Sequence, residues 1–344
     1  MTALPQPQAS TAQAILRWWE AKPDEHRAHL GASLIGHACE RRLWLTFRWA
    51  GKEKFDGRML RLFSTGQREE ARVVDELRGI GCEVHADDGQ AQFRVSDCNG
   101  HFGGSMDGVV LGLPEAPATW HVLEVKTHSA KSFKDLCAKG VQSAKPLHYA
   151  QMQTYMHLAE LDRALYYAVN KDTDDTYLER VPYDRAFAQK LVEKAQRIID
   201  ADAPPPRLSE DPAWFECKFC SFHGQCHGQQ FPEANCRTCA HGGPSANAQW
   251  ECTAKSRTLT LAQQRQGCEQ HLFVPPMLDR IGEPVDATEA RVTYRLADGS
   301  ELTNGAGGHS SHQLHALGLA AVTAPEVAAI QAAFPGATIR AAAA

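Results

Sequence analysis

The stretch from Gly103 to Lys126 constrains this chain more than any other. It runs Gly103-Gly104-Ser105-Met106-Asp107-Gly108-Val109-Val110, turns between Gly112 and Pro117, and returns as Trp120-His121-Val122-Leu123-Glu124-Val125-Lys126. Apolar, β-branched runs separated by a Gly/Pro turn predict a β-hairpin. Side chains two apart on a strand share a face, so Glu124 and Lys126 stand side by side while Val125 turns into the core. Asp107, on the neighbouring strand, reaches the same place. Two carboxylates and a lysine at the rim of an apolar sheet are costly without partners. A divalent cation such as Mg²⁺, which takes a few carboxylates plus water and phosphate oxygens, suits them. An ordinary surface hairpin carrying a Glu and a Lys is the alternative that this spacing leaves open.

Asp107 followed by Glu124-Val125-Lys126 resembles the PD-(D/E)XK nuclease superfamily, with Asp107-Gly108 where the motif's name has Pro-Asp, as in many RecB-like members. The resemblance extends along the chain. Residues 60–80 carry helical apolar spacing (Leu60, Leu62, Phe63, Val73, Val74, Leu77), with Gly66 four residues before Glu70. RecB-like nucleases have a Gly-x-x-x-His or Gly-x-x-x-Glu step there, whose last residue joins the metal shell. Glu70 matches it, and Glu69 competes. After Lys126, Gln151 and Tyr155 are i and i+4 on one face of a predicted helix. They are similar to the Gln-x-x-x-Tyr step that helps position DNA in these relatives.

The cysteines divide into two sets. A chain of eleven cysteines with no basic-then-apolar leader points to metal or cluster binding rather than disulfides. Cys217-x2-Cys220-x5-Cys226, with Cys39 far upstream, resembles the iron–sulfur nucleases of the AddB-type and CRISPR-associated RecB-like branches. There, four thiolates hold a [4Fe–4S] cluster that ties the start of the domain to its end. Thiolate tetrads suit zinc equally, with His223 or His227 as further ligands, and that alternative stays open. Cys236-x2-Cys239, then Cys252 and Cys268, read as a zinc-ribbon-like tetrad, with His241 and His271 as spare ligands. Cys82, Cys98 and Cys137 have no partners at ligand spacing and read as structural.

Net charge is −5, so no global basic signal marks a nucleic-acid partner. Local basicity does: residues 41–72 carry nine Lys/Arg against four Asp/Glu, and residues 126–145 five Lys against one Asp. Both segments flank the hairpin and read as a phosphate-binding wall. The absence of an 18-residue apolar run predicts no membrane span.

In order, the chain divides as follows. Residues 1–30 are a flexible, Pro/Gln-rich start and a leading amphipathic helix. In 31–49, Ser33 is expected to cap a helix bearing Leu34, Ile35, Leu43, Trp44 and Phe47. Residues 31–230 form an α/β, PD-(D/E)XK restriction-endonuclease-like core: a mixed central sheet flanked by helices and closed by Cys39, Cys217, Cys220 and Cys226. Residues 231–273 form a Cys-rich metal module, thin in apolar residues, so that a chain ending near Gln230 is expected to keep cutting short DNA. Residues 274–344 form a small α+β tail with a hairpin around Asp298-Gly299, one helix from Pro325 to Phe334 and a frayed Ala-rich end.

The resemblance implies a metal-dependent deoxyribonuclease, in exonuclease form, acting in recombination, repair or phage DNA processing. Asp107, Glu124, Glu70 and the Val125 carbonyl would hold Mg²⁺ or Mn²⁺, and Lys126 would orient or deprotonate water. DNA is the implied partner, with a recombinase or single-strand annealing protein as a further one, in the cytoplasm of a bacterial or phage-infected cell. Two other readings stand beside it: a catalytically inactive nuclease fold that binds DNA or assembles, and a zinc-dependent redox sensor. The second leaves Asp107, Glu124 and Lys126 unexplained.

Overall fold

The structure is a computed structural model that describes residues 10–23, 26–87 and 92–334. Most of the expected flexible start and the expected frayed end fall on 1–9 and 335–344, outside the described residues.

In chain order come α1 (Thr11–Glu20), β1 (Leu30–Gly31), α2 (Glu40–Phe47), α3 (Gly57–Gly79), β2 (Glu83–His85), β3 (Arg94–Asp97), β4 (Phe102–Ser105), β5 (Gly108–Leu111) and β6 (His121–His128). Then follow α4 (Ala130–Ala144), α5 (Pro146–Leu158), β7 (Arg163–Asn170), β8 (Thr176–Pro182) and α6 (Arg185–Asp200). The central sheet has five strands in the order β2-β5-β6-β7-β8. Only β6 and β7 pair in parallel, which the α4–α5 crossover between them makes possible. The sheet is therefore mixed and flanked by helices, as the sequence led us to expect.

The predicted hairpin is β5–β6, with Gly108 opposite Leu123 and Val109 opposite Val122. Strand alternation then sorts β6. Leu123 and Val125 pack with Val73, Val74 and Leu77 of α3, whereas Val122 joins the core beneath α5 and α6. Glu124, Lys126 and His128 share the face of Val122.

Ser33 does not cap a helix. The backbone there is spent on strand pairing: Leu30 N bonds His101 O (2.8 Å) and Ala32 N bonds Gly103 O (2.7 Å). The helix starts at Glu40 instead, and Cys39 is its N-cap, Sγ accepting from Arg42 N at 3.3 Å. β3 pairs with β4 in a small sheet of its own, order β1-β4-β3.

Two antiparallel three-stranded sheets follow residue 230: β9 (Gly242–Pro244), β10 (Trp250–Cys252) and β11 (Arg257–Leu259), then β12 (Glu283–Ala287), β13 (Arg291–Arg295) and β14 (Glu301–Gly305). The tail has helices at Ser311–Leu317 and Leu319–Val322 besides Pro325–Ala333, so its single expected helix is an undercount.

The expectation of a thin, separable module meets a shared core. Trp250 is fully buried against Phe47 (5.4 Å) and His101. Arg237, also fully buried, lies 3.8 Å over the Trp49 ring and donates to the Phe47 and Ala28 carbonyls. One continuous apolar cluster runs from Leu30 through Val322. Residues after 230 thus cover side chains of α2 that would otherwise face water.

Candidate active site

Five of the expected residues line one open cleft of about 1100 Å³: Glu70, Asp107, Lys126, Gln151 and Tyr155. They come from α3, the β4–β5 junction, β6 and α5. Glu124 lies fully buried beside them, in ion contact with Lys126, whose side chain is 27% exposed. Apart from that contact, neither Glu124 oxygen has a hydrogen-bond partner. Asp107 Oδ2 accepts from Val125 N at 2.8 Å, which fixes the carboxylate across the hairpin. The Val125 side chain is buried in the core.

Glu69 is engaged elsewhere, its Oε2 2.8 Å from Arg72. Glu70 is the acid that reaches the cleft.

Gln151 Nε2 donates to Tyr155 Oη at 3.3 Å, and Tyr155 Oη donates to Ser105 O at 2.8 Å. The Gln-x-x-x-Tyr pair therefore braces the backbone two residues before Asp107. Gly104 is what lets the ring approach: a Cβ there would sit 2.6 Å from Tyr155 Oη.

The electrostatics are those of crowded, dehydrated acids. Burial, reinforced by Asp107, pushes the Glu70 carboxyl up to about 7. Burial, opposed by Lys126 and reinforced by Asp107, pushes Glu124 up to about 7. Asp107 is raised by burial as well, against Lys126 and the Val125 amide. For Lys126, burial favours the neutral amine, but Glu124 and Asp107 outweigh it and hold the ammonium above its ordinary range. The three acids share a small volume with one cation, and two Glu124 oxygens lack hydrogen bonds. That donor set fits a divalent metal ion, although among the described residues no group of three or more His, Cys, Asp or Glu side chains stands in a ready metal-holding arrangement.

The same holds for the cysteines. Cys39, Cys217, Cys220 and Cys226 line one cavity of about 450 Å³, and Cys236, Cys239, Cys252 and Cys268 line another small one with His241 and His271. Each set converges, but neither is drawn into a preformed ligand set. Burial raises the Cys217 thiol, and it raises Cys220 and Cys226 against the pull of nearby Arg42, Arg41 and Arg207.

Three arginines of the expected phosphate-binding wall are engaged elsewhere. Arg41 bonds Asp279 and the Pro205 carbonyl, Arg48 the Arg237 and Gly242 carbonyls, and Arg72 pairs with Asp174 and Glu69. Arg41 and Arg48 are buried and tie distant segments together, whereas Arg72 sits in surface ion pairs. Counting charge along the sequence cannot separate such residues from a solvated wall. Sequence reasoning also missed His148, which lines the cleft, and His128, which follows Lys126 at the strand period on the same face. That period was the available signal for His128.

The chain is similar to three solved structures at low identity. They are SSO0001 (16% identity, TM-score 0.37, covering 64% of this chain and 96% of that one); an alkaline exonuclease, LHK-Exo, from Laribacter hongkongensis (16%, 0.36, 53% and 90%); and a phage related exonuclease from Haemophilus somnus 129PT (17%, 0.27, 39% and 68%). No curated protein matches the chain. The family model of the PD-(D/E)XK nuclease superfamily matches residues 3–227, which contain the entire cleft and most of the 344 residues. On that match the chain belongs to the PD-(D/E)XK nuclease superfamily.

Proposed function

We propose that the cleft is the active centre of a Mg²⁺- or Mn²⁺-dependent deoxyribonuclease that degrades DNA from its ends. The observation that carries this reading is the convergence of Glu70, Asp107 and Glu124 on one lysine, with two of the acids held near 7 by burial. Such a group is stable as anions only beside a cation. Glu70, Asp107, Glu124 and the Val125 carbonyl would hold the metal. When bound, it would supply Lewis acidity toward the phosphate and lower the pKa of water. Lys126 offsets negative charge developing on the phosphate and orients the attacking water. Gln151 and Tyr155 brace the Asp107 turn and the strand beside it. The product carries a 5′-phosphate, by family resemblance.

We assign Cys39, Cys217, Cys220 and Cys226 to a [4Fe–4S] cluster, with zinc as the alternative, and Cys236, Cys239, Cys252 and Cys268 to a structural zinc. The support is that each set of four lines one cavity. Closing the long loop from Cys39 to Cys217 by a metal removes chain entropy from the unfolded state. A recombinase or annealing protein as partner belongs to this reading too, with residues 231–273 as the stretch that holds the second metal rather than a separately folding unit.

The test is digestion of end-labelled linear duplex DNA and of a covalently closed circle by the full chain. Mg²⁺ should support loss of the linear DNA, EDTA should stop it, and the circle should survive. Cutting of the circle at the same rate removes the exonuclease assignment. Inertness toward both substrates with either metal removes the nuclease reading.

A further inference from the structure

Behind Lys126 five side chains make one unbroken chain of hydrogen bonds. Lys145 Nζ lies 2.8 Å from Ser132 Oγ, and Ser132 Oγ lies 3.0 Å from His128 Nδ1. His128 Nε2 lies 2.9 Å from Tyr166 Oη, which in turn lies 2.8 Å from His148 Nδ1. His128 and Tyr166 are buried, on adjacent strands β6 and β7. His148 is half-buried on α5 and lines the cleft with Lys126, Asp107 and Glu70. Its Nε2 has no hydrogen-bond partner among the described residues.

Such a chain has a direction, and one end sets it. An ammonium has three protons and no acceptor, so Lys145 donates and Ser132 Oγ accepts. Ser132 then passes its own proton to His128 Nδ1. A neutral imidazole that accepts on one nitrogen donates from the other, so His128 Nε2–H points at Tyr166 Oη. Tyr166, accepting there, donates its phenolic proton to His148 Nδ1. His148 must then carry its proton on Nε2, the ring nitrogen that the relay leaves unpartnered in a side chain that lines the cleft. The reverse order would have Ser132 accept from both sides and leave its hydroxyl proton without a partner in the chain. Both rings are neutral at pH 7: burial, with Lys145 and Lys126 nearby, holds His128 down at about 4, and burial with Lys126 holds His148 down at about 3. Burial and the Glu124 charge keep Tyr166 protonated.

We propose that this relay fixes His148 as its Nε2–H tautomer and makes it an uncharged donor to a phosphate oxygen of the bound strand. The inference rests on reading the cleft as a phosphodiesterase site. A bare Nε2 lone pair would repel a phosphate, whereas an N–H pre-set by four partners donates without reorganising when the strand arrives. His148 is then a substrate-contacting residue, and Tyr166, His128 and Ser132 are positioning residues that act through it.

The experiment is side-chain ¹⁵N spectroscopy of the full chain labelled at histidine, with His148→Gln identifying the signal, alongside cleavage of linear DNA with Mg²⁺. The wild-type His148 signal should be that of an Nε2-protonated ring. Lys145→Met, which removes the one obligate donor, and Tyr166→Phe, which cuts the chain, should each convert it to a tautomer mixture. His148→Ala should lose about a hundredfold in kcat/KM, the scale of one preorganised donor, and Tyr166→Phe about tenfold. A wild-type ring protonated on Nδ1 overturns the relay even if the protein cuts DNA. A folded His148→Ala protein that cuts at the wild-type rate overturns the phosphate contact. A wild-type protein with the Nε2–H tautomer but no cleavage with either metal overturns the nuclease reading and, with it, the role given to His148, while leaving the hydrogen-bond direction intact.

Discussion

Gly104→Ala is the smallest change that should disable the cleft without touching an ionisable group. Gly104 lies on β4 opposite Val95, at a backbone conformation that any residue can adopt. By chain entropy alone, Ala there should stabilise by about 0.4–1 kcal/mol. The structure reverses that sign. The new methyl would stand 2.6 Å from Tyr155 Oη and 3.1 Å from Cε1, where an ordinary contact needs at least 3.4 Å. Tyr155 is 2% exposed and cannot swing into solvent. It must retreat by most of an ångström and release its 2.8 Å bond to Ser105 O. Overpacking costs about 1–3 kcal/mol and the lost hydrogen bond about 1 kcal/mol, so after the entropic gain the net destabilisation should be about 1–3.5 kcal/mol. Because the backbone that loses this brace at Ser105 carries Asp107 two residues on, its loosening should also lower kcat/KM by about a hundredfold. Tyr155→Phe removes the oxygen that clashes. Alone it should cost about 1 kcal/mol. Combined with Gly104→Ala it should cost little more, because the 2.6 Å contact is gone. Denaturant unfolding of the two single variants and the double, with initial rates on linear DNA, closes the cycle. Strict additivity of the two losses, or a stabilised Gly104→Ala, refutes the packing argument.

Four further outcomes follow from the structure. Glu69→Gln should cut DNA within about threefold of wild type, a surface-pair effect, while Glu70→Gln should lose most metal-dependent cleavage; equal effects in initial-rate assays would reverse the assignment. Burial raises Glu70 and Glu124 from 4.5 to about 7 in the fold, so their contribution to stability is present below 4.5 and is lost as pH rises through 7. The metal-free protein should therefore gain more in Tm from Mg²⁺ at pH 8 than at pH 6, and an equal gain at both would contradict it. A chain ending at Gln230 should be insoluble or lack a cooperative transition, because it strips Trp250 and Arg237 from Phe47 and Trp49; a folded, active fragment would show the cores to be separate. Protein purified without oxygen should be brown, with about four irons; colourless protein containing zinc alone would leave a structural tetrad in place of the cluster.

What could be read from the sequence was local and periodic. Glu124-Val125-Lys126 alternates into and out of the core because a strand has a period of two, and α3 follows from Val73, Val74 and Leu77 at helical spacing. Gln151 and Tyr155 meet because i and i+4 share a helix face. What stayed hidden depends on distant partners. The backbone of residues 30–32 pairs with 101–103, and no local signal in Ser33 announces that the helix must wait until Glu40. Arg41, Arg48 and Arg237 look like surface cations in one dimension, yet each satisfies carbonyls from the other side of residue 200 or from the chain's beginning. The relay from Lys145 to His148 joins β6, β7, α4 and α5, so only the assembled sheet brings it together.

The central claim is that Glu70, Asp107 and Glu124 gather around Lys126 to cut phosphodiester bonds with a divalent cation. Its most direct test is initial-rate cleavage of linear DNA by wild type, Asp107→Ala and Lys126→Ala, with Mg²⁺ and with EDTA. The account requires cleavage by wild type that EDTA abolishes and a loss of roughly two orders of magnitude in each folded variant, the scale of one electrostatic or acid–base group. Wild-type rates in both variants, or cleavage that persists in EDTA, would place the chemistry elsewhere.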